Sequence, residues 1–131
     1  MYPSIFPIVN ASSSVRALLS SPSTGLRFWQ FGMNKDQPVV YPYAVWRRVF
    51  GQPLNYINEV PDTDSLSLQV DVYESPTNKN GGDKVRQIIV ALRDAIEQPQ
   101  VANITNWLPE DIDPDTKAFH MGFTVDWFVA R

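Results

Sequence analysis

Residues 65–97 contain the two clearest patterns in the sequence, one typical of a strand and one typical of a helix. In residues 65–73, apolar and mainly polar residues alternate, which places one side of a strand in a core and the other towards water. Further along, apolar residues recur every three or four positions and form one stripe on a helix: Val85, Ile88, Ile89, Leu92 and Ile96. This segment therefore predicts a sheet that packs against a helix.

The rest of the chain extends this segment into one α+β domain over residues 1–131, with the order α-β-β-β-α-β-β. The predicted elements are a helix over 3–20, strands over 26–32, 43–51 and 65–74, a helix from about 83 to 98, and strands over 101–108 and 118–130. Ser12 is a candidate cap within the first helical region, because its hydroxyl can accept an unpaired amide. We expect neighbouring strands to pair antiparallel and two helices to cover one face of the sheet.

Composition excludes several functional classes. With 131 residues and 44% hydrophobic residues, the chain is long enough to bury one core. It has no cysteine, which excludes disulfides and thiolate metal sites. A net charge of −3 and a pI near 5.0 do not suit a protein that grips the phosphates of nucleic acid. No apolar run approaches the roughly 20 residues that a membrane helix needs, so we expect a soluble protein made in the cytoplasm, with no membrane partner.

The sheet face away from the helices is predicted to carry several large side chains, whereas a face left in water is usually polar. We assign to this outer face Trp29, Phe31, Trp46, Phe50, Tyr73 and Phe128. Two explanations remain open: loops fold over these residues, or the face packs on another subunit or partner. Arg47 and Arg48 are neighbours on a strand, so they point to opposite faces and cannot form one phosphate clamp.

No catalytic or metal-binding pattern emerges from the polar residues. His120 is the only histidine, and no Gly-x-Ser-x-Gly turn accompanies it, which favours a structural or surface role. Asp111, Asp113 and Asp115 resemble the start of a calcium loop, but the required glycine and final acid are missing, which favours an ordinary acidic turn.

Two further patterns are weaker. Asn80-Gly81-Gly82 lacks the spacing of a phosphate loop and is better explained as a flexible lead into a helix. The acidic residues Glu59, Asp62 and Asp64 are typical of a solvated loop. The sequence thus predicts no catalytic residue, no metal site and no cofactor.

Several short motifs, taken in order, carry a resemblance to a known family. They are Met-Tyr-Pro-Ser-Ile-Phe-Pro-Ile-Val-Asn at the start, Pro42-Tyr-Ala-Val-Trp-Arg, Gln69-Val-Asp-Val-Tyr, the helix over 85–96, and Phe123-Thr-Val-Asp-Trp near the end. Together they resemble the phage tail completion proteins, whose order of elements also occurs in the tail terminators of long-tailed phages. The resemblance runs along the whole chain and is weakest in the loops.

The resemblance implies a virion structural protein rather than an enzyme. Members of the family form a ring, generally a hexamer, that ends the tail tube near the head and presents a surface to the neck. The expected partners are other copies of the chain, the tube protein and a neck protein, while DNA passes through the ring without specific binding. The protein would be assembled in the host cytoplasm and reside in the virion. The residues that we predict at its interfaces are Trp46, Arg48, Tyr56, Lys79 and Phe128.

Two alternatives stay open from the sequence. One is another ring of the neck, such as a head–tail joining protein, which would have a similar small α+β fold. The other is a small ligand-binding or enzymatic domain that uses His120 and the acidic loops.

Overall fold

The computed structural model describes residues 3–32, 38–55, 60–98 and 101–131. Its helices are α1 (Ile5–Asn10), α2 (Ser13–Leu19) and α3 (Gly81–Ile96). Its strands are β1 (Ser20–Ser21), β2 (Gly25–Leu26), β3 (Phe28–Gln30), β4 (Tyr43–Pro53), β5 (Thr63–Glu74), β6 (Ala102–Trp107), β7 (Asp111–Ile112) and β8 (Phe119–Ala130). The predicted α+β class is confirmed.

The main sheet has the strand order β3-β4-β5-β8-β6, and β7 also pairs with β8. All its pairs are antiparallel except β3 with β4, which run parallel. The prediction of antiparallel pairing between neighbours is wrong for these two strands, because the connection between them returns the chain to the end of the sheet at which β3 begins. A separate small hairpin joins β1 and β2.

The core lies between one face of the sheet, here called the inner face, and the three helices. The alternation predicted in β5 is confirmed, since every second residue from Leu66 to Val72 is buried. The predicted stripe of α3 is buried as well, and so are the inner residues Phe123, Val125 and Trp127 of β8. Each such side chain contributes about 1.5–3 kcal/mol through removal of apolar surface from water, and together they hold the two layers.

The region predicted as one helix over 3–20 is two short helices. Ser12 separates them, because its backbone is extended (φ −80°, ψ 117°). Its hydroxyl accepts the amide of Val15 at 3.3 Å, which confirms the predicted cap. The predicted strand over 26–32 is likewise divided into β2 and β3, and β7 was not predicted.

Trp46 lies on the inner face, so its assignment to the outer face is wrong. It is directly opposite Val70 of β5, and only 6% of its surface is exposed. The prediction placed Trp46 and Phe50 on one side of a regular strand, but a β-bulge between Arg48 and Phe50 adds one residue to β4 and reverses the faces beyond it. Trp46 is therefore inside and Phe50 outside, although a regular strand would put both on one side.

The first residue of α3 must be small. A Cβ on Gly81 would overlap with the ring carbon Cδ2 of Phe119, whereas one on Gly82 would come no closer than 3.8 Å to the guanidinium of Arg86. The Phe119 ring thus fits against the bare backbone at the start of the helix, where it joins β8 to α3.

We predict opposite effects for two neighbouring substitutions at this position. Gly81→Ala should lower the free energy of unfolding by about 1–3 kcal/mol, because the ring of Phe119 must move to admit the methyl group. Gly82→Ala should leave it unchanged or raise it by up to about 1 kcal/mol, because alanine is the better helix former. Urea unfolding of both variants checks this, and equal effects would contradict the packing described for Phe119.

Candidate interaction surface

The centre of the outer face is polar, unlike the predicted aromatic surface. Ser67 donates a hydrogen bond to Asp126 across the β5–β8 pair at 2.8 Å. Gln69 donates to both carboxylate oxygens of Asp71 at 3.1 and 3.2 Å. Such polar pairs are typical of a sheet face in contact with water. Large side chains occur mainly towards the two ends of this face, and the two ends differ in chemistry.

At one end, aromatic rings cross the sheet from strand to strand. The ring of Tyr43 lies 5.1 Å from that of Tyr73, which in turn lies 4.9 Å from the imidazole of His120, centroid to centroid. Tyr41 extends the row, 5.7 Å from Tyr43. Burial, with a smaller contribution from the charge of Asp71, raises the pKa of Tyr73 to about 12. This end is thus well packed by its own side chains.

His120 is held between two carboxylates at the same end. Its Nε2 lies 2.7 Å from Asp71, and its Nδ1 lies 2.7 Å from Asp111 of β7. The hydrogen bond to Asp71 raises the pKa of His120; burial opposes this, and the bond to Asp111 adds to it. No serine or threonine hydroxyl is hydrogen-bonded to the imidazole among the residues described, so the geometry is that of a structural contact.

The acidic segment between β6 and β8 is fixed by its own hydrogen bonds. Asp113 accepts the amides of Asp115 (2.9 Å) and Thr116 (3.0 Å), which hold the pKa of its carboxyl below the ordinary value. Glu110 forms a two-point contact with the guanidinium of Arg86 on α3, with distances of 2.8 and 2.9 Å. This segment is an ordered acidic turn.

Neither a metal cluster nor a membrane helix occurs in residues 3–32, 38–55, 60–98 and 101–131. In these residues, no group of three or more His, Cys, Asp or Glu side chains is arranged to hold a metal ion. No helix within them is long and apolar enough to cross a membrane. Of the predicted solvated acidic loop, Glu59 lies outside the described residues. The prediction is wrong for Asp64, which is buried in β5 and bound by Arg131 at 3.1 Å.

At the other end of the sheet, the second half of β4 extends beyond its neighbour. β3 pairs only with Ala44–Trp46, whereas β4 continues to Pro53 along β5. Every residue from Arg47 to Pro53 is exposed. We call this segment, Arg47–Pro53, the β4 arm. Among the described residues, no strand pairs with its outer edge, and an unpaired strand edge is a common site for pairing with another chain.

The β4 arm carries two exposed apolar side chains, and β8 carries a third one on the other side of β5. Val49, at the bulge, is 46% exposed and Phe50 is 58% exposed. Phe128 is 39% exposed and lies on the same outer face, two strands away, since Phe50 is opposite Ser67 and Phe128 opposite Ser65. We call Val49, Phe50 and Phe128 the arm patch. Natural proteins avoid apolar residues on an open edge strand, so this combination indicates a contact surface.

The predicted interface residues differ in location and exposure. Arg48 is exposed on the β4 arm and forms no ion pair with the residues described, and Phe128 belongs to the arm patch. Lys79 is exposed in the turn between β5 and α3, at the opposite end of the sheet. Trp46 is buried and leaves little surface for a partner, while Tyr56 lies outside the described residues.

Sequence reasoning missed the contribution of Val49 and the open edge. The signal was present in Arg-Arg-Val-Phe-Gly, where apolar residues follow two charged ones near the end of a strand. A bulge cannot be read from that pattern, and the shortness of β3, which leaves the edge open, depends on tertiary pairing.

Comparison with known proteins identifies a family and a similar fold. The sequence profile of a family described as "Tail completion protein gp17" matches residues 4–130, nearly the whole chain. The fold is similar to a solved structure described as "Structure of bacteriophage SPP1 gp17 protein". The TM-score is 0.52 at 11% identity, over 97% of this chain and 86% of that one. No curated protein matches the sequence. At this identity the structural likeness concerns the fold alone.

We predict that two aromatic residues of β4 differ sharply in their effect on stability. Trp46→Ala should cost about 3–5 kcal/mol of unfolding free energy, because it opens a cavity in the core. Phe50→Ala, four residues away, should cost less than about 1 kcal/mol, because the side chain is largely in water. Chemical denaturation measures both, and a cost for Phe50→Ala similar to that for Trp46→Ala would show that the arm patch is part of the core.

Proposed function

This chain belongs to the tail completion protein gp17 family, and we propose that it forms a ring that ends the tail tube of a bacteriophage. The family makes it a structural component of the phage tail. In our proposal the ring lies at the head-proximal end of the tube, stops its polymerisation and presents a surface to the neck. The profile match over residues 4–130 is the observation that carries the proposal.

The β4 arm supports assembly into a ring. A ring forms when one surface of a subunit binds a different surface of the next copy and the rotation closes. The arm offers an open strand edge, the apolar arm patch and the exposed charges of Arg47 and Arg48. Association that covers these groups removes apolar surface from water and pairs backbone groups that otherwise bind solvent.

The two ends of the sheet supply separate surfaces, one for the next copy and one for a further partner. The ring must contact the tube on one side and the neck on the other. Lys79 lies in the turn after β5, whereas Phe128 lies opposite Ser65 near the beginning of that strand. Arg48 lies opposite Leu68 in the middle of β5, so Lys79 is separated from both along the strand direction. We assign the arm end to the next copy in the ring, and the Lys79 end to the tube or the neck.

A negative chain suits a passage for DNA. With a net charge of −3, the protein has no overall attraction for phosphates, so DNA can pass through the ring without specific binding. The role is structural rather than enzymatic, and assembly takes place in the host cytoplasm before the ring enters the virion.

We predict that the purified protein forms rings through the arm patch. Light scattering should give the mass of about six chains, and negative-stain images of the same sample should show rings. Phe50→Asp should reduce the ring fraction strongly, because a charge replaces an apolar contact at the interface. Val90→Asp is the matched control: Val90 is exposed to a similar degree (45%) but lies on α3, away from the β4 arm.

The controls separate this interface from general damage. Both variants should keep the far-ultraviolet circular dichroism of the parent, since each replaces a surface residue. Rings that persist in Phe50→Asp, or that are lost equally in both variants, would contradict assembly through the arm patch.

A further inference from the structure

The contacts of His120 define its protonation state. Each ring nitrogen lies 2.7 Å from a carboxylate oxygen, Nε2 from Asp71 and Nδ1 from Asp111. An ionised carboxylate can only accept a hydrogen bond, so both nitrogens must donate, and only the charged imidazolium carries both protons. A neutral imidazole would leave one lone pair facing a carboxylate. The bridge is therefore complete only while His120 is protonated.

The two sides of this bridge are unequally anchored. The carboxylate of Asp71 is 13% exposed and also accepts two contacts from Gln69. The carboxylate of Asp111 is 57% exposed and belongs to β7, which pairs with β8 through only two residue pairs. Loss of the proton should thus break the contact with Asp111 first.

We propose that the Asp71–His120–Asp111 bridge is a proton-dependent clasp that fastens the β7 turn, residues 109–117, to the sheet. When His120 loses its proton, the contact between Asp111 of β7 and His120 of β8 is lost, and this part of the turn separates from β8. The other contacts near the turn remain. These include the hydrogen bond that the amide of Leu108 donates to the carbonyl of Gly122 (2.9 Å) and the ion pair of Glu110 with Arg86. The clasp is independent of ring formation and goes beyond the proposed function.

The direction of the pH effect follows from the raised pKa of His120. A group with a pKa above its unfolded value stabilises the folded state fully below the unfolded pKa, about 6.5 for histidine. This stabilisation is lost as the pH rises through the folded-state pKa. The β7 turn is therefore held in mildly acidic solution and loosened in alkaline solution.

The neighbouring groups do not share this titration. Tyr73, which packs on the imidazole from β5, has a pKa of about 12 and stays neutral, and Tyr43 on β4 also has a raised pKa. Arg86 on α3 remains charged, and its hydrogen bond holds the pKa of Glu110 below the ordinary value. Backbone amides do the same for Asp113. Around the clasp, these groups keep one charge state from neutral to mildly alkaline pH, so His120 dominates the change.

The single histidine allows a direct test by NMR. The full chain, labelled at the histidine ring, reports the pKa of His120, and hydrogen exchange reports on the Asp113 amide, which donates to the carbonyl of Ala118 (2.9 Å). Across the titration of His120, we expect protection of this amide to fall about tenfold beyond the intrinsic effect of pH on exchange. Tenfold corresponds to the loss of one charge-assisted hydrogen bond.

Two substitutions in the same turn separate the clasp from general charge effects. Asp111→Asn should lower the pKa of His120 and remove the pH-dependent loss of protection. Asp115→Asn makes the same change of charge but should alter neither the pKa of His120 nor the pH-dependent loss of protection. The reason is that, among the residues described, Asp115 contacts this network only by donating its backbone amide to the carboxylate of Asp113, which the substitution keeps. The clasp is refuted if the pKa of His120 in the parent is not raised, if protection does not follow its titration, or if both variants behave alike.

Discussion

The antiparallel pairing of β5 with β8 is the interaction on which the rest of the structure depends. The two strands stay in register from Thr63 opposite Ala130 to Glu74 opposite Phe119, without a bulge. Because side chains alternate between faces, this one register decides which residues meet the helices and which remain outside. A shift by one residue would bring Ser67, Gln69 and Asp71 into the core, which is why the register is strongly specified.

The candidate interaction surface lies where β4 continues along β5 without pairing to β3. β4 follows β5 along almost its whole length, but β3 covers only the first part of β4. In the part of the chain that the structure describes, the β4 arm therefore has an unpaired edge, and the bulge turns Phe50 to the outer face. The opposite end of the sheet is closed by its own aromatic row and by the clasp at His120. The two ends of the subunit thus differ: one is packed by its own aromatic side chains, whereas the other exposes apolar residues on the β4 arm.

The sequence allowed prediction of those parts of the fold that follow from short-range periodicity. The stripe of α3 and the two faces of β8 were predicted because each repeats a regular spacing within one element. Trp46 was assigned to the wrong face because a regular strand puts residues 46 and 50 together, and the bulge that separates them leaves no clear mark in the sequence. The parallel pairing of β3 depends on a connection between elements, which local pattern does not reveal.

The candidate surface was only partly predictable for the same reason. Phe128 and Arg48 are exposed, as expected for interface residues, but their role at an interface stays a prediction. The partners of His120 lie 49 and 9 residues away in the chain, so the clasp could not be inferred before the fold was known. The family resemblance, which rests on motifs in order rather than on geometry, identified the class of protein independently.

The measurement that tests the central claim most directly is addition of the purified protein to growing tail tubes of the same phage, followed by electron microscopy. If the protein ends the tube, a ring should be visible at one end only, and tubes should stop lengthening once the ring has bound. Tubes that continue to grow with the protein present and no density at either end would contradict the proposed role. If the protein instead binds isolated heads in a parallel sample, at the vertex where the tail attaches, the ring would be assigned to head–tail joining.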